Sequence, residues 1–209
     1  AGRWSPLLVE CRSQAHGREM VMKGSDMLLG PGMNIHRTPL CGRNCEYFSE
    51  DPLVSGKTGA AMVRGLQKNG VSACPKHFAC NNQETNRAYN DSQVSQRALR
   101  EIYLKGFEIC IAEGKPQNIM SSYNKINGVW SHYNYDLCTT VLRGEWGYEG
   151  VVITDWWMRS SPEPSAMPQI RSPYWSGFPR FCARGTRRVP LMTIASVAPC
   201  VSPCRAVSS

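Results

Sequence analysis

Four short β-favouring runs, separated by stretches of helical character, constrain this chain more than any other feature. DMLLGP (26–31), VSACPKHFAC (71–80), NIMSSYN (118–124) and VVITD (151–155) read as strands. Residues 54–69, 93–114 and 134–145 read as helices. In the first, Val54, Ala61, Met62 and Leu66 fall near one face, and Gly70 stops it. In the second, Val94, Ala98, Leu99, Ile102, Phe107 and Ile111 recur near helical spacing before Gly114 and Pro116. Strand, helix, strand in alternation implies βαβ units and a parallel sheet. Right-handed crossovers then place every strand's C-terminal end on one side. Lys76 and His77, Tyr123 and Asn124, and Asp155 and Trp156 all stand at or just beyond strand ends. They are expected to converge on the face where barrels and open α/β sheets carry their active sites.

Length and composition bound the rest. A chain of 209 residues, 42% hydrophobic and 19% charged, suits one domain with its own core. No apolar run reaches the ~18 to 20 residues of a membrane span. AGRWSPLLVE is not a secretory leader and has no initiator Met, which suggests a fragment or a processed form. The net charge of +8 invites a nucleic-acid reading, but its distribution argues against one. Residues 158–209 hold seven Arg, no Lys and a single acid, Glu163, whereas residues 1–157 carry 17 Lys and Arg against 15 Asp and Glu. The basicity belongs to the tail. That tail also has eight prolines and no period, so irregular structure or disorder is expected there. Its abrupt onset resembles a shifted reading frame. Residues 1–16, which show no clear periodicity, are expected to be irregular and are given the same origin.

Ten cysteines do not form a disulfide framework by their spacing. Cys74, Cys80, Cys110 and Cys138 sit in or beside apolar segments, where a thiol acts as a small hydrophobe. Cys41 with Cys45, and Cys200 with Cys204, are CxxxC pairs without the matching His or Cys cluster of a zinc site. No metal and no cofactor is expected.

The chemistry-bearing residues each have a bland reading beside the functional one. Asp155 could act as a helix N-cap with Trp156 and Trp157 in the core. The other reading is a carboxylate at the anomeric carbon of a sugar whose flat face lies on an indole. Lys76 and His77 could be a surface cation and a core imidazole, or two donors at the mouth of a site. GRNCEYFSEDP (42–52) offers Arg43 as a forked donor, and SSYNKING (121–128) joins a Tyr to Asn and a turn Gly. No phosphate-binding glycine pattern or serine nucleophile elbow is present.

Taken together, LLGPGMNIHRTPLCGRNCEYFSEDP, KHFACNNQETNR, SQRALREIYLKGFE, MSSYNKING and VVITDWW resemble glycoside hydrolase family 3, in the family's order and at compatible spacings. The resemblance runs from Gly17 to Trp157. Within the family it is closest in character to the bacterial β-glucosidase and β-xylosidase branch. It implies a partial (β/α)8 TIM-type barrel at 17–157, with parallel strands alternating with helices and irregular termini at 1–16 and 158–209. It implies that Asp155 matches the nucleophile. Arg43, Lys76 and His77 match residues that hold sugar hydroxyls. Met120 and Tyr123 match residues lining the same pocket, and Trp156 the platform beside the nucleophile; Trp157 is expected to pack into the scaffold. The implied activity is retaining hydrolysis of terminal β-D-glucosyl residues. The substrate would be a β-glucoside or β-xyloside oligosaccharide or an aryl glycoside, and no nucleic acid or membrane partner is implied.

KHFACNNQE lacks the His-containing loop of the family's N-acetylglucosaminidases, which argues against an N-acetylhexosamine. The resemblance also implies a second domain that supplies the acid/base Glu, and an earlier Asp that holds the sugar's outer hydroxyls. Neither matches a residue of this chain, and Glu84 is a weak substitute for the acid/base. A non-catalytic carbohydrate-binding remnant is therefore the alternative to an enzyme fragment. Family members often work in the periplasm or outside the cell; the sequence itself leaves the compartment open.

Overall fold

A computed structural model describes residues 5–156. The expected tail, 158–209, and Trp157 lie outside the described residues. Helix α1 (Pro6–Met22) precedes β1 (Met27–Leu28), α2 (Pro52–Gln67) and β2 (Ser72–Ala73). A long excursion holding β3 (Asp91–Ser92) leads to α3 (Gln96–Ala98), a π-helical turn (Leu99–Tyr103) and α4 (Lys105–Gly114). Then come β4 (Asn118–Met120), β5 (Lys125–Ile126), β6 (Val129–Trp130), a 3₁₀ turn (Ser131–Tyr133), a π-helical segment (Asp136–Glu145) and β7 (Val151–Ile153).

The four strands expected from sequence form the scaffold, all parallel. β1 pairs with β2 and β4 with β7. Beyond β2 the chain joins β4: Met120 N–H donates to Pro75 O at 2.9 Å, Phe78 N–H donates to Met120 O at 2.7 Å, and Phe78 bridges Ser121. The spatial order is thus β1-β2-β4-β7, a barrel segment with helices on its outer side. Strand alternation sorts the side chains into two layers. Leu28, Ala73 and Ile119 face the helices and join Val63, Leu66, Phe107 and Cys110 in the main core. Met27, Leu29, Cys74 and Met120 face the other way and form a smaller cluster with Ile153. On that inner face Asn118 donates to the Ser72 hydroxyl.

Local signals set the helix starts. Asp51 caps α2, its carboxylate accepting from Leu53 and Val54 N–H at 2.6 and 3.2 Å, and Pro52 occupies the first helical position. The next helix starts later than the expected residue 93: Ser95 caps it, accepting from Ala98 N–H at 3.2 Å. Val94 is instead held in a loop by both atoms of the Asn127 amide. Asn127 and Gly128 both have positive φ, 50° and 89°, as a two-residue hairpin between β5 and β6 requires.

Within the expected irregular segment 1–16, residues 6–16 are helical instead. From Pro6 onward they belong to α1, which lies against α2. The reason periodicity missed it is physical. Leu7, Leu8, Val21 and Met22 are exposed, and the buried residues are Ser13, Gly17 and Met20. The contact is a close approach of backbones. A Cβ on Gly65 would stand 2.4 Å from Glu10 O and 2.7 Å from Ser13 Cβ. Arg64 of α2 and Lys68 just after it clamp Glu10 from the side at 2.9 and 2.5 Å, and this pairing holds its carboxyl below the usual range.

Gly65→Ala is therefore expected to destabilise the chain by ~1–3 kcal/mol through overpacking, against a gain of up to ~1 kcal/mol in helix propensity. Urea unfolding followed by circular dichroism checks this; a stabilised variant would contradict the packing described.

Candidate functional site

The sequence-selected residues meet where the parallel strands end. The ladder between β1 and β2 finishes at a bridge between Gly32 and Lys76. One residue later His77 is buried, with 2% of its surface exposed. Arg43, on the long loop after β1, reaches across to it: Nη1 lies 2.9 Å from His77 Nε2. A guanidinium only donates, so Nε2 accepts and the imidazole proton sits on Nδ1. Asp155, two residues past β7, brings Oδ2 to 3.7 Å from the same Nε2 and is itself buried. Its Oδ1 accepts from Trp156 N–H at 2.9 Å. Three loops that are distant in sequence thus converge on one imidazole nitrogen.

Around this point charges alternate. Lys76 Nζ lies 3.6 Å from Glu46 Oε2, and Glu46 Oε1 accepts from Arg43 Nε. Arg43 Nε lies 3.9 Å from Glu84 Oε1, and Glu84 Oε2 accepts from Arg87 Nη1 at 2.8 Å. Arg87 then covers the Tyr123 ring at 4.7 Å. Counting Asp155, three carboxylates face three cations, which makes this partly buried patch nearly neutral. Gly32 permits the arrangement, because a Cβ there would meet Glu46 Oε2 at 3.0 Å and the Tyr47 ring at 3.1 Å.

Burial pushes the His77 imidazole well below its ordinary value, and the positive charges of Arg43, Lys76 and Arg87 push the same way. It is a neutral group. Burial also raises the inner-face thiol of Cys74 to about 12, and that of Cys80 to about 12, so both are inert thiols at neutral pH.

The remaining expected site residues are placed as follows. Lys76 and Tyr123 border the patch. Met120 is buried in the inner-face cluster below it, in register with Ile153. Trp156, the residue after Asp155, is 62% exposed. Asn124 is buried in the scaffold, donating to Ala79 O at 3.2 Å. Glu84 is engaged on both oxygens, by Asn81 at 3.0 Å and by Arg87, so it is an ion-pair partner in this arrangement. Sequence reasoning passed over Asn34, Glu46, Asn81 and Arg87. Glu46 carries the one local signal, a carboxylate three residues after Arg43. Asn34 carries none, since its contact is 43 residues away.

Comparison with known proteins gives the family of the chain. A profile of the glycosyl hydrolase family 3 N terminal domain matches residues 1–167. The chain belongs to glycosyl hydrolase family 3. The match extends past both ends of the resemblance seen in the motifs, back to residue 1 and ten residues beyond Trp157. A β-glucosidase of Ruminococcus albus is 55% identical over 141 residues, 68% of this chain and 15% of that protein. An exo-α-(1→6)-L-arabinopyranosidase of Bifidobacterium longum is 48% identical over 153 residues, 73% of this chain and 20% of that protein. The chain thus spans about a fifth or less of these relatives. Among solved structures, β-glucosidase 3B from Thermotoga neapolitana in complex with glucose superposes with a TM-score of 0.75 at 53% identity. That match covers 76% of this chain and 22% of the other. The partial-barrel fold expected from sequence is therefore the family's fold. Among the described residues no helix is long and apolar enough to cross a membrane.

A pH dependence follows from His77. The folded protein keeps it neutral, while the unfolded chain titrates it near 6.5. Below that pH the unfolded state binds more protons, so the stability it contributes is present above about 6.5 and is lost on acidification. His132, also lowered by burial, acts in the same direction. We expect the urea midpoint to fall between about pH 7 and pH 5.5, with a His77 contribution of at most ~1.4 kcal/mol per pH unit. His77→Gln should show a shallower fall. An equal slope in the variant would contradict a neutral buried imidazole.

Proposed function

We propose that this chain carries the sugar-binding and nucleophilic half of a retaining β-glucosidase site. The observation that supports it is the meeting of Arg43, His77 and Asp155 at the C-terminal ends of neighbouring parallel strands. In this reading Asp155 attacks the anomeric carbon, the C–O bond to the leaving group breaks, and a covalent glycosyl–enzyme forms. Arg43, Lys76 and His77 hold the ring hydroxyls, with Tyr123 and Met120 lining the pocket floor. His77, neutral and fixed by Arg43, serves as a hydrogen-bonding group and not as a cation. Trp156 offers an indole face to the sugar or its leaving group. Such positioning lowers the barrier by holding the anomeric carbon against the carboxylate.

The substrate class is a glycoside with a terminal β-D-glucosyl unit, as the names of several relatives suggest. The B. longum relative is named for an α-L-arabinopyranoside and matches 73% of this chain, so the residues in hand set a shared sugar frame, with finer preference read elsewhere. Proton delivery to an ordinary leaving group is assigned to a carboxyl on a further domain, in line with the family resemblance.

A dinitrophenyl β-glucoside needs no such proton, because its phenolate leaves unaided. The purified chain is expected to release a burst of up to one equivalent of dinitrophenolate and to gain the mass of one glucosyl residue. Asp155→Asn should slow that burst by ~10⁴-fold or more. If the chain binds glucose but shows no burst, and Asp155→Asn changes nothing, the segment is a sugar-binding remnant and the catalytic reading fails.

A further inference from the structure

The main-chain atoms of His77 have no strand neighbour on the β1 side, because the ladder stops at Gly32 and Lys76. A side chain continues it. Asn34 Oδ1 accepts from His77 N–H at 2.8 Å, and Asn34 Nδ2 donates to His77 O at 2.9 Å. Both residues are buried, with 3% and 2% exposed, and no water is needed to complete the pair. One amide thereby meets both backbone groups of the residue whose ring receives Arg43 and faces Asp155.

We infer that Asn34 is a positioning residue: it fixes His77, and through it the 2.9 Å contact with Arg43. The inference rests on the reading of His77 as a sugar-holding group, but its physical content is separate. Three features single out Asn34. Its contact is bidentate and requires an amide, since Asp would lack the donor and Leu would lack both atoms. It acts on the backbone of His77, so it sets the origin of the ring and leaves its nitrogens for Arg43. And His77 Nδ1 has no hydrogen-bond partner among the described residues. The ring is therefore held at Nε2 alone, and its placement depends on the backbone beneath it. A shift of that backbone would let Nε2 leave Arg43 and approach Asp155, which favours the other tautomer and a charged ring.

The test uses ¹⁵N-histidine-labelled full-length chain without sugar. Long-range ¹H–¹⁵N spectra of the native chain should show His77 as a single neutral tautomer with its proton on Nδ1, resisting protonation well below pH 6.5. In Asn34→Ala we expect a mixture of tautomers and a titration displaced towards 6.5, with circular dichroism and unfolding cooperativity retained. The dinitrophenyl β-glucoside burst should slow by ~10–100-fold, with its amplitude kept. Asn34→Asp, nearly isosteric, keeps the acceptor and loses the donor. It carries the same test should the alanine variant not fold, and a changed His77 tautomer or titration is again the supporting result. An unchanged His77 spectrum in the folded variant overturns the inference. Absence of any burst in the native chain counts against the catalytic reading and leaves the spectroscopic test standing.

Discussion

One hydrogen bond organises this site: Arg43 donating to His77 Nε2 at 2.9 Å. It ties the loop after β1 to the end of β2, and it decides the chemistry of the imidazole. Because a guanidinium cannot accept, Nε2 is an acceptor and the ring is neutral. Asp155 then lies 3.7 Å from that nitrogen without a proton between them. That leaves Asp155 without a histidinium partner, which suits the nucleophilic role proposed for it.

The wider patch serves the same end. Arg43, Lys76 and Arg87 crowd one side of the strand ends, and unpaired they would repel one another in a partly buried place. Glu46 and Glu84 separate them, each carboxylate sitting between two cations. Surface ion pairs contribute little to stability, so the value of this chain of charges lies in placement. It fixes in space Arg43 and Lys76, the donors proposed to hold the sugar hydroxyls. Gly32 and the buried Tyr47 beneath set how closely Glu46 can approach.

Much of this was legible in the residues. Short β-favouring apolar runs bounded by turn residues, alternating with helical stretches, led to four parallel strands, and strand ends led to Lys76, His77, Tyr123 and Asp155. The ordered strands are shorter than the apolar runs: β2 covers only Ser72 and Ala73, because Pro75 has no N–H to donate to a ladder. Helix α1 was illegible because its contact surface is Ser13 and Gly17, which no hydrophobic pattern marks. The roles of Asn34 and Arg87 were illegible for a different reason. Each acts through a polar contact whose partner is set by the fold, and composition at a single position carries no trace of it. The motifs, in contrast, carried family membership strongly, since five of them recur in order.

The central claim is that Asp155 and the Arg43–His77 pair address one sugar ring. A crystal structure of the chain after reaction with 2-deoxy-2-fluoro-β-D-glucosyl fluoride tests it most directly. The account predicts a bond from the anomeric carbon to an Asp155 carboxylate oxygen, with ring hydroxyls within hydrogen-bond distance of Arg43, Lys76 and His77. A sugar attached to another carboxylate, or one bound to Asp155 with its hydroxyls turned away from Arg43 and His77, would contradict it.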